Sequence, residues 1–321
     1  MPTPIGTNEL TALVNRHVIS KITDNIYNSN PAFFRLYNGK KVVPGGTQIE
    51  TPLMYSEITA GGSYSGFDVL DVTPNDTIKN AAWDWKQYHV PVTIDGLTFI
   101  KTDSPHAIAN HVRTKMAQAQ MQMAENLADG VWSDGSAAND IDGLEGAVDD
   151  TTVLATYGGL ARASNAWWNS QVDAATTTLT LASLQSMFGN CSEGGRSTTL
   201  IASRQEQYNR FWALNQEFQR FPTDGGRDEQ LANAGFTNML FNNVPWVVDS
   251  HVFDGPNASN SAIVFLNEDY IELQVSPRAS FYMQDFQKPH DQDVYVSLLL
   301  WAGNLTVSNC ARHGKMTALT A

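Results

Sequence analysis

Between Ser104 and Gly130 apolar side chains recur at Ile108, Val112, Met116, Ala119, Met123 and Leu127, in steps of four, four, three, four and four. That spacing draws one stripe down a helix, because residues three and four apart share a face. Ser104 suits the N-cap, Pro105 the first helical turn, and Gly130 is expected to stop the helix. At 1.5 Å per residue the segment extends about 39 Å, longer than most helices of globular domains. The stripe is narrow, small alanines flank it, and the other side carries Gln and Asn. A helix of this kind lies across a sheet as a beam and leaves a polar side free to meet a neighbouring subunit.

The stretch before it alternates like a strand. TQIETPLMY runs into a polar, glycine-rich tip, and AAWDWKQYHVPVTI comes back. On the return run Trp83 and Trp85 share one face and Lys86, Tyr88, Val90, Val92 and Ile94 the other. Neither face is apolar throughout, and an isolated two-stranded hairpin is marginal in water, so something beyond its own two strands is expected to hold this one, the alternative being an edge hairpin of an ordinary sheet. Tyr64 and Phe67 at the tip, Lys79, Trp83 and Trp85 are the candidate contact residues. Further upstream, Asn8 to Ile26 reads as an amphipathic helix. NSNPAFFRLYNGKKVVPGG then reads as a loose arm in which Phe33, Phe34 and Arg35 are further candidates for contact with a neighbour.

Downstream of the beam, WSDGSAANDIDGLEGAVDD is rich in carboxylates. It lacks the regular D-x-D-x-D-G framework of a calcium loop and reads as a solvated turn. Residues 151–271 read as an α/β module. It holds a helix around Leu181, Leu184 and Phe188, a buried strand in STTLIAS, a helix opened by Ser203 and Glu206 in capping-box register, a polar loop over 219–235, and two strands joined at Asn242 and Asn243. The C-terminal stretches YIELQVSPRASFYMQDF, DVYVSLLLWAGNLTV and GKMTALT alternate as strands. The whole is an α+β chain.

Charge and cysteines narrow the function. The 321 residues carry a formal net charge of −13, with 17% charged side chains. Residues 1–45 hold Arg16, Lys21, Arg35, Lys40 and Lys41 against Glu9 and Asp24, a balance of +3 that leaves −16 on the rest. An acidic body of this kind is not built to clamp phosphate backbones, so tight DNA binding by the free subunit is not expected. Cys191 and Cys310 have no metal or redox spacing, and His106 and His111, five apart, fall on different helix faces. No phosphate loop, dinucleotide fingerprint or nucleophile elbow is present, so no catalytic, cofactor or metal residues are assigned. VSLLLWAG is too short to span a bilayer. A carboxylate pair of an unrecognised hydrolase stays open on these grounds.

The order of parts resembles that of the major capsid proteins of tailed bacteriophages, the Hong Kong 97-like fold. WSDGSAANDIDGLEG, with Asp134, Gly135, Gly143 and Leu144, resembles the family's turn after its spine helix. TTLIASRQEQYNRFWAL, FNNVPWVVD and FLNEDYIELQVSP resemble segments of its axial domain and of the return to its peripheral domain. The resemblance implies an N-terminal arm over 1–45 and an extended loop over 46–92. It implies a peripheral domain from 93–150 and 272–303 with a spine helix over 104–129, and an axial domain from 151–271 and 304–321. It further implies a structural protein without enzymatic activity or cofactor that assembles with itself into pentamers and hexamers. The icosahedral shell so formed encloses double-stranded DNA in the virion after assembly in the host cytoplasm, with separate scaffolding, portal and decoration proteins as possible partners. Lys79 would be the conceivable donor of a covalent cross-link. An encapsulin-like nanocompartment shell shares this architecture and is the alternative.

Overall fold

The computed structural model describes residues 30–97, 105–175, 177–216, 239–255 and 262–320. The expected helix over Asn8 to Ile26 and the polar loop over 219–235 lie outside them.

The spine helix runs from Pro105 to Trp132. Val112, Met116, Ala119, Met123 and Leu127 are buried along it as the spacing predicts, and Ala124, Ala128 and Val131 join them. It does not stop at Gly130. That glycine has no positive φ, and a Cβ there would sit 2.6 Å from the Tyr88 hydroxyl. Its smallness therefore serves close approach of a strand, not helix termination.

The strand beneath is Lys86–Asp95, which pairs antiparallel with Val294–Val307 over ten residues, from Lys86 opposite Gly303 to Asp95 opposite Val294. Along the other edge of Val294–Val307 run Ile271–Val275 and Tyr282–Met283, and Lys41–Val42 adds a parallel strand outside Ile271–Val275. The return run after the tip is thus two strands. Ile78–Trp83 closes the hairpin with Ile49–Met54, and Lys86–Asp95 belongs to this first sheet. The break at Asp84 and Trp85 is held by side chains: Gln48 Nε2 donates to Asp84 Oδ1 (2.8 Å), and Trp85 Nε1 donates to the Gly46 carbonyl (3.0 Å).

A second sheet has six strands in the order Leu240–Phe241, Val244–Val248, Leu200–Ser203, Ile263–Leu266, Gly314–Met316 and Gln171–Asp173. Leu200, Ile201 and Ala202 are all fully buried, as are Ile263 to Leu266. On one face Ile201, Trp246, Ile263 and Phe265 pack with helices Leu181–Cys191 and Gln205–Gln216. On the other, Leu200, Ala202, Val247, Val264 and Leu266 join the core of the spine helix and first sheet. Burial on both faces explains why these strands read as unbroken apolar runs instead of alternating ones.

Local chemistry holds at several ends. Thr180 and Ser183 form a capping box at the start of Leu181–Cys191. Asn242 and Asn243 take φ of 48° and 65° in the expected tight turn. The capping box expected from Ser203 is not formed. Ser203 ends its strand, and its hydroxyl accepts from Trp246 Nε1 (2.7 Å).

The arm expectation also needs correction. Pro31–Asn38 is a helix with Pro at its start, and it buries Ala32, Phe33 and Leu36 in the chain's own core. Apolar residues at adjacent helical positions drive this, and Arg35 fastens the outer side with paired bonds to Glu268 (2.8 and 2.7 Å).

Candidate assembly surface

The hairpin of Ile49–Met54 and Ile78–Trp83 has two halves. Its base is fixed to its own chain. Ile49, Leu53, Ala81 and Trp83 are buried, and Trp83 meets Tyr157 edge-on at 5.9 Å. Gly158, at φ +56°, passes so close that a Cβ would lie 2.9 Å from the Trp83 ring; its carbonyl accepts from Ala82 N (3.0 Å). Higher up, Lys79 Nζ donates to Asn165 Oδ1 (2.7 Å) and lies 4.6 Å from the centre of the Tyr55 ring, which stacks on Trp167.

Above Tyr55 the chain projects. Ile58, Tyr64, Phe67, Val69, Leu70 and Val72 are exposed, Phe67 and Val69 completely (102% and 99%). Local bonds shape the segment: Ser65 N donates to Asp68 Oδ2, Thr73 N and Oγ1 donate to Asp71 Oδ1, and Asn75 Nδ2 bridges to Thr59 Oγ1 (2.8 Å). Glu57, Asp68, Asp71 and Asp76 give residues 55–77 four negative charges and no positive one. Burying each large apolar side chain is worth about 1.5–3 kcal/mol, so a row of this density in water stores a driving force for association.

The structure separates the candidate contact residues. Tyr64 and Phe67 stand on the projecting tip. Trp83 and Phe33 are buried in the subunit's own core and are not offered to a neighbour. Lys79, Trp85 and Arg35 already hold Asn165, Gly46 and Glu268 of the same chain, and Phe34 is half-buried on the short helix. Lys79 as a cross-link donor would first have to leave Asn165. The exposed Ile58, Val69, Leu70 and Val72 are not among the residues that sequence reasoning singles out. The signal for Val69, Leu70 and Val72 is the apolar VLDV run inside an otherwise polar tip.

Beneath the hairpin, the acidic stretch after the spine helix is a packed joint, not a solvated turn. Only Ser136 to Asn139 are exposed. Asn304 Nδ2 donates to Asp142 Oδ2 (2.6 Å) and to the Asp84 carbonyl (2.8 Å), and its Oδ1 accepts from Asp142 N (3.0 Å). Burial holds the Asp142 carboxyl above its ordinary value despite that bond. Lys86 Nζ donates to the Ala138 carbonyl (2.7 Å). Tyr88 Oη accepts from Ile141 N (3.3 Å), and burial pushes its pKa up to about 12.

Next to it, Arg162 is wholly buried and donates to the carbonyls of Gly146 (2.7 Å), Ala147 (2.9 Å), Trp168 (3.1 Å) and Asp149. Asp149 Oδ2 accepts from the backbone of Thr151, Val153 and Leu154, and Asp149 Oδ1 accepts from Lys315 Nζ (2.9 Å). Burial would raise the Asp149 carboxyl, but the Leu154 amide, Lys315 and the Val153 amide together hold it below the ordinary value. Burial pushes both thiols, Cys191 and Cys310, up to about 12, which leaves them inert as nucleophiles. Among the described residues no cluster of His, Cys, Asp and Glu is arranged to hold a metal ion, and no helix is long and apolar enough to cross a membrane.

A long helix on a long-stranded sheet, a second sheet buried on both faces, and a projecting hairpin together make an α+β fold, and solved structures give it a place. The chain has the fold of phage capsid proteins. A chain of the cyanophage A-1(L) capsid asymmetric unit superposes with a TM-score of 0.70 at 14% identity, covering 91% of this chain and 93% of that one. A Mycobacterium phage Bobi chain matches with a TM-score of 0.57 at 9% identity over 98% and 99% of the two chains. A chain of the holo-SrpI encapsulin complex from Synechococcus elongatus PCC 7942 matches with a TM-score of 0.57 at 10% identity, over 94% and 89%. No known family profile and no curated protein matches the sequence.

Proposed function

We propose that this chain is the major capsid protein of a tailed phage, a structural subunit without enzymatic activity that closes into an icosahedral head around double-stranded DNA. The observation that carries the proposal, beside the capsid fold, is the fixed hairpin base bearing a set of exposed apolar side chains, Phe67 and Val69 completely so. A subunit that secures the root of a ribbon so firmly and leaves its tip unsatisfied completes that tip on another copy. An interface of ordinary size buries on the order of 1,600 Å², and a closed shell gains by forming several such contacts at once. Pentamers and hexamers supply the rings in which each hairpin overlaps a neighbour. In this reading 93–150 with 272–303 form the peripheral domain, which carries the spine helix, and 151–271 with 304–321 form the axial domain. An acidic wall lets packed DNA slide without binding it, in the virion after assembly in host cytoplasm. Scaffolding, portal and decoration proteins are the partners this role calls for.

The encapsulin match favours a second reading, a cellular compartment shell. Nucleic acid inside purified particles supports the phage reading, and a co-purifying cargo protein supports the other. The role of the hairpin is tested by replacing residues 60–75 with a short turn. Circular dichroism should stay unchanged while electron microscopy shows no stable particles; normal particles would overturn the assignment.

A further inference from the structure

We propose that His251 is a proton-operated latch that ties the spine helix to the turn following Val244–Val248, and through Glu125 to the start of the short helix at Asn30. The geometry calls for a doubly protonated ring. His251 Nε2 lies 2.8 Å from Glu125 Oε1 and 3.5 Å from Asp129 Oδ1, while Nδ1 lies 3.2 Å from Asp249 Oδ1. Carboxylate oxygens only accept, and a neutral imidazole carries one N–H, so a neutral ring would turn a lone pair toward one of these carboxylates. The imidazolium satisfies both sides. The His251 side chain is 9% exposed and that of Asp249 1%, so water does not easily replace the Asp249 contact, whereas the Glu125 side chain is 49% exposed. Asp249 Oδ2 is buried without a hydrogen-bond partner, and its Oδ1 accepts from the His251 backbone N–H (3.0 Å) as well as facing Nδ1, so a charged ring supplies the positive partner of that carboxylate.

The latch joins three parts of the chain. Glu125 and Asp129 project from the spine helix, Asp249 stands in the turn itself, and Asn30 Nδ2 donates to Glu125 Oε2 (3.4 Å) at the head of the short helix. The other charges around the turn are fixed elsewhere. Arg204 Nε donates to the Val252 carbonyl (2.6 Å) and its guanidinium pairs with Asp254, and Lys315, paired with Asp149, lies 5.6 Å from the Phe253 ring.

Burial lowers the His251 pKa, but hydrogen bonds and charge from Glu125 and Asp249 outweigh it, and the net direction is upward from 6.5. Burial raises Glu125, yet the bonds from His251 and Asn30 bring it below 4.5. A raised His pKa gives a contribution complete below its unfolded value and lost as pH rises through the folded one. A depressed carboxyl gives one lost as pH falls through its folded value. The latch is therefore closed between the two and opens on either side. On the alkaline side the neutral ring keeps a single N–H, so one of its two carboxylate contacts is lost and the tie between the spine helix and the turn weakens.

The test uses the full chain and two readouts. The His251 ring is titrated by NMR, and hydrogen-exchange protection of residues 121–132, corrected for intrinsic rate, is followed from about pH 6 to about pH 9. Wild type should lose protection in a step at the His251 midpoint, that midpoint should lie above 6.5, and His251→Gln should show no step. Asp129→Asn, at an exposed position, should fold normally and lower the midpoint. A step that persists in His251→Gln, a wild-type midpoint below 6.5, or a midpoint indifferent to Asp129→Asn overturns the proposal.

Discussion

Replacing Lys315 with Met probes the joint between the two sheets. Lys315 stands on the strand Gly314–Met316, and its Nζ meets Asp149 Oδ1 at 2.9 Å with side-chain exposures of 3% and 0%. Methionine keeps the length of the stem and removes the charge, so Asp149 is left as a buried carboxylate without its ammonium partner. Breaking a buried pair from one side costs about 3–5 kcal/mol. Three backbone amides still reach Asp149 Oδ2 and Arg162 still binds its main-chain carbonyl, which places this case near about 3 kcal/mol. For a large domain that is a fall of roughly 6–12 °C in Tm. The pH dependence is equally specific. In the wild type the depressed Asp149 pKa gives stability that is complete above 3.8 and lost as pH falls through the folded value. Without Lys315 the carboxyl rises, so the gap between variant and wild type should narrow between about pH 7 and about pH 4. Urea unfolding of the unassembled subunit at fixed concentration measures both. A penalty under about 1 kcal/mol, or parallel pH profiles, would refute the argument that Lys315 neutralises this carboxylate.

Trp83→Ala should cost about 3–5 kcal/mol by emptying the site between Tyr157 and Gly158, and should make the hairpin base a new site of limited proteolysis; wild-type resistance would contradict the anchored base. Gly143→Ala should destabilise by about 1–3 kcal/mol, because a Cβ there meets the backbone of Ser133 and the Gly130 carbonyl. Gly189→Ala, with open space around it on a helix, should instead stabilise by about 0.4–1 kcal/mol, and the opposite signs are checked by thermal unfolding.

Features set by neighbours along the chain are legible in the amino-acid sequence. The stripe Val112, Met116, Ala119, Met123 and Leu127 is buried as its period requires, and Asn242 and Asn243 turn where their tolerance of positive φ allows. The polar tip of residues 55–77 carries its own signal, because no helical or strand period covers it. By contrast, the role of Gly130 is not legible, since its reason for being small is Tyr88, which lies on another element. The strands on either side of Asp84 and Trp85 continue one alternating pattern, and only their different partners separate them.

The sequence by itself determined the beam-like helix, the α+β class and the resemblance to phage capsid proteins, because period, turn chemistry and order of parts act over short spans of chain. Tertiary structure decided which ribbon is anchored and which is free, that Phe33 and Trp83 face inward, and that Arg162, Asp149, Lys315 and His251 have partners at all. Lys315 and Asp149 are 166 positions apart, and His251 and Glu125 are 126. A charge finds a partner at that separation only through the packing of sheets and helices, which no local pattern encodes.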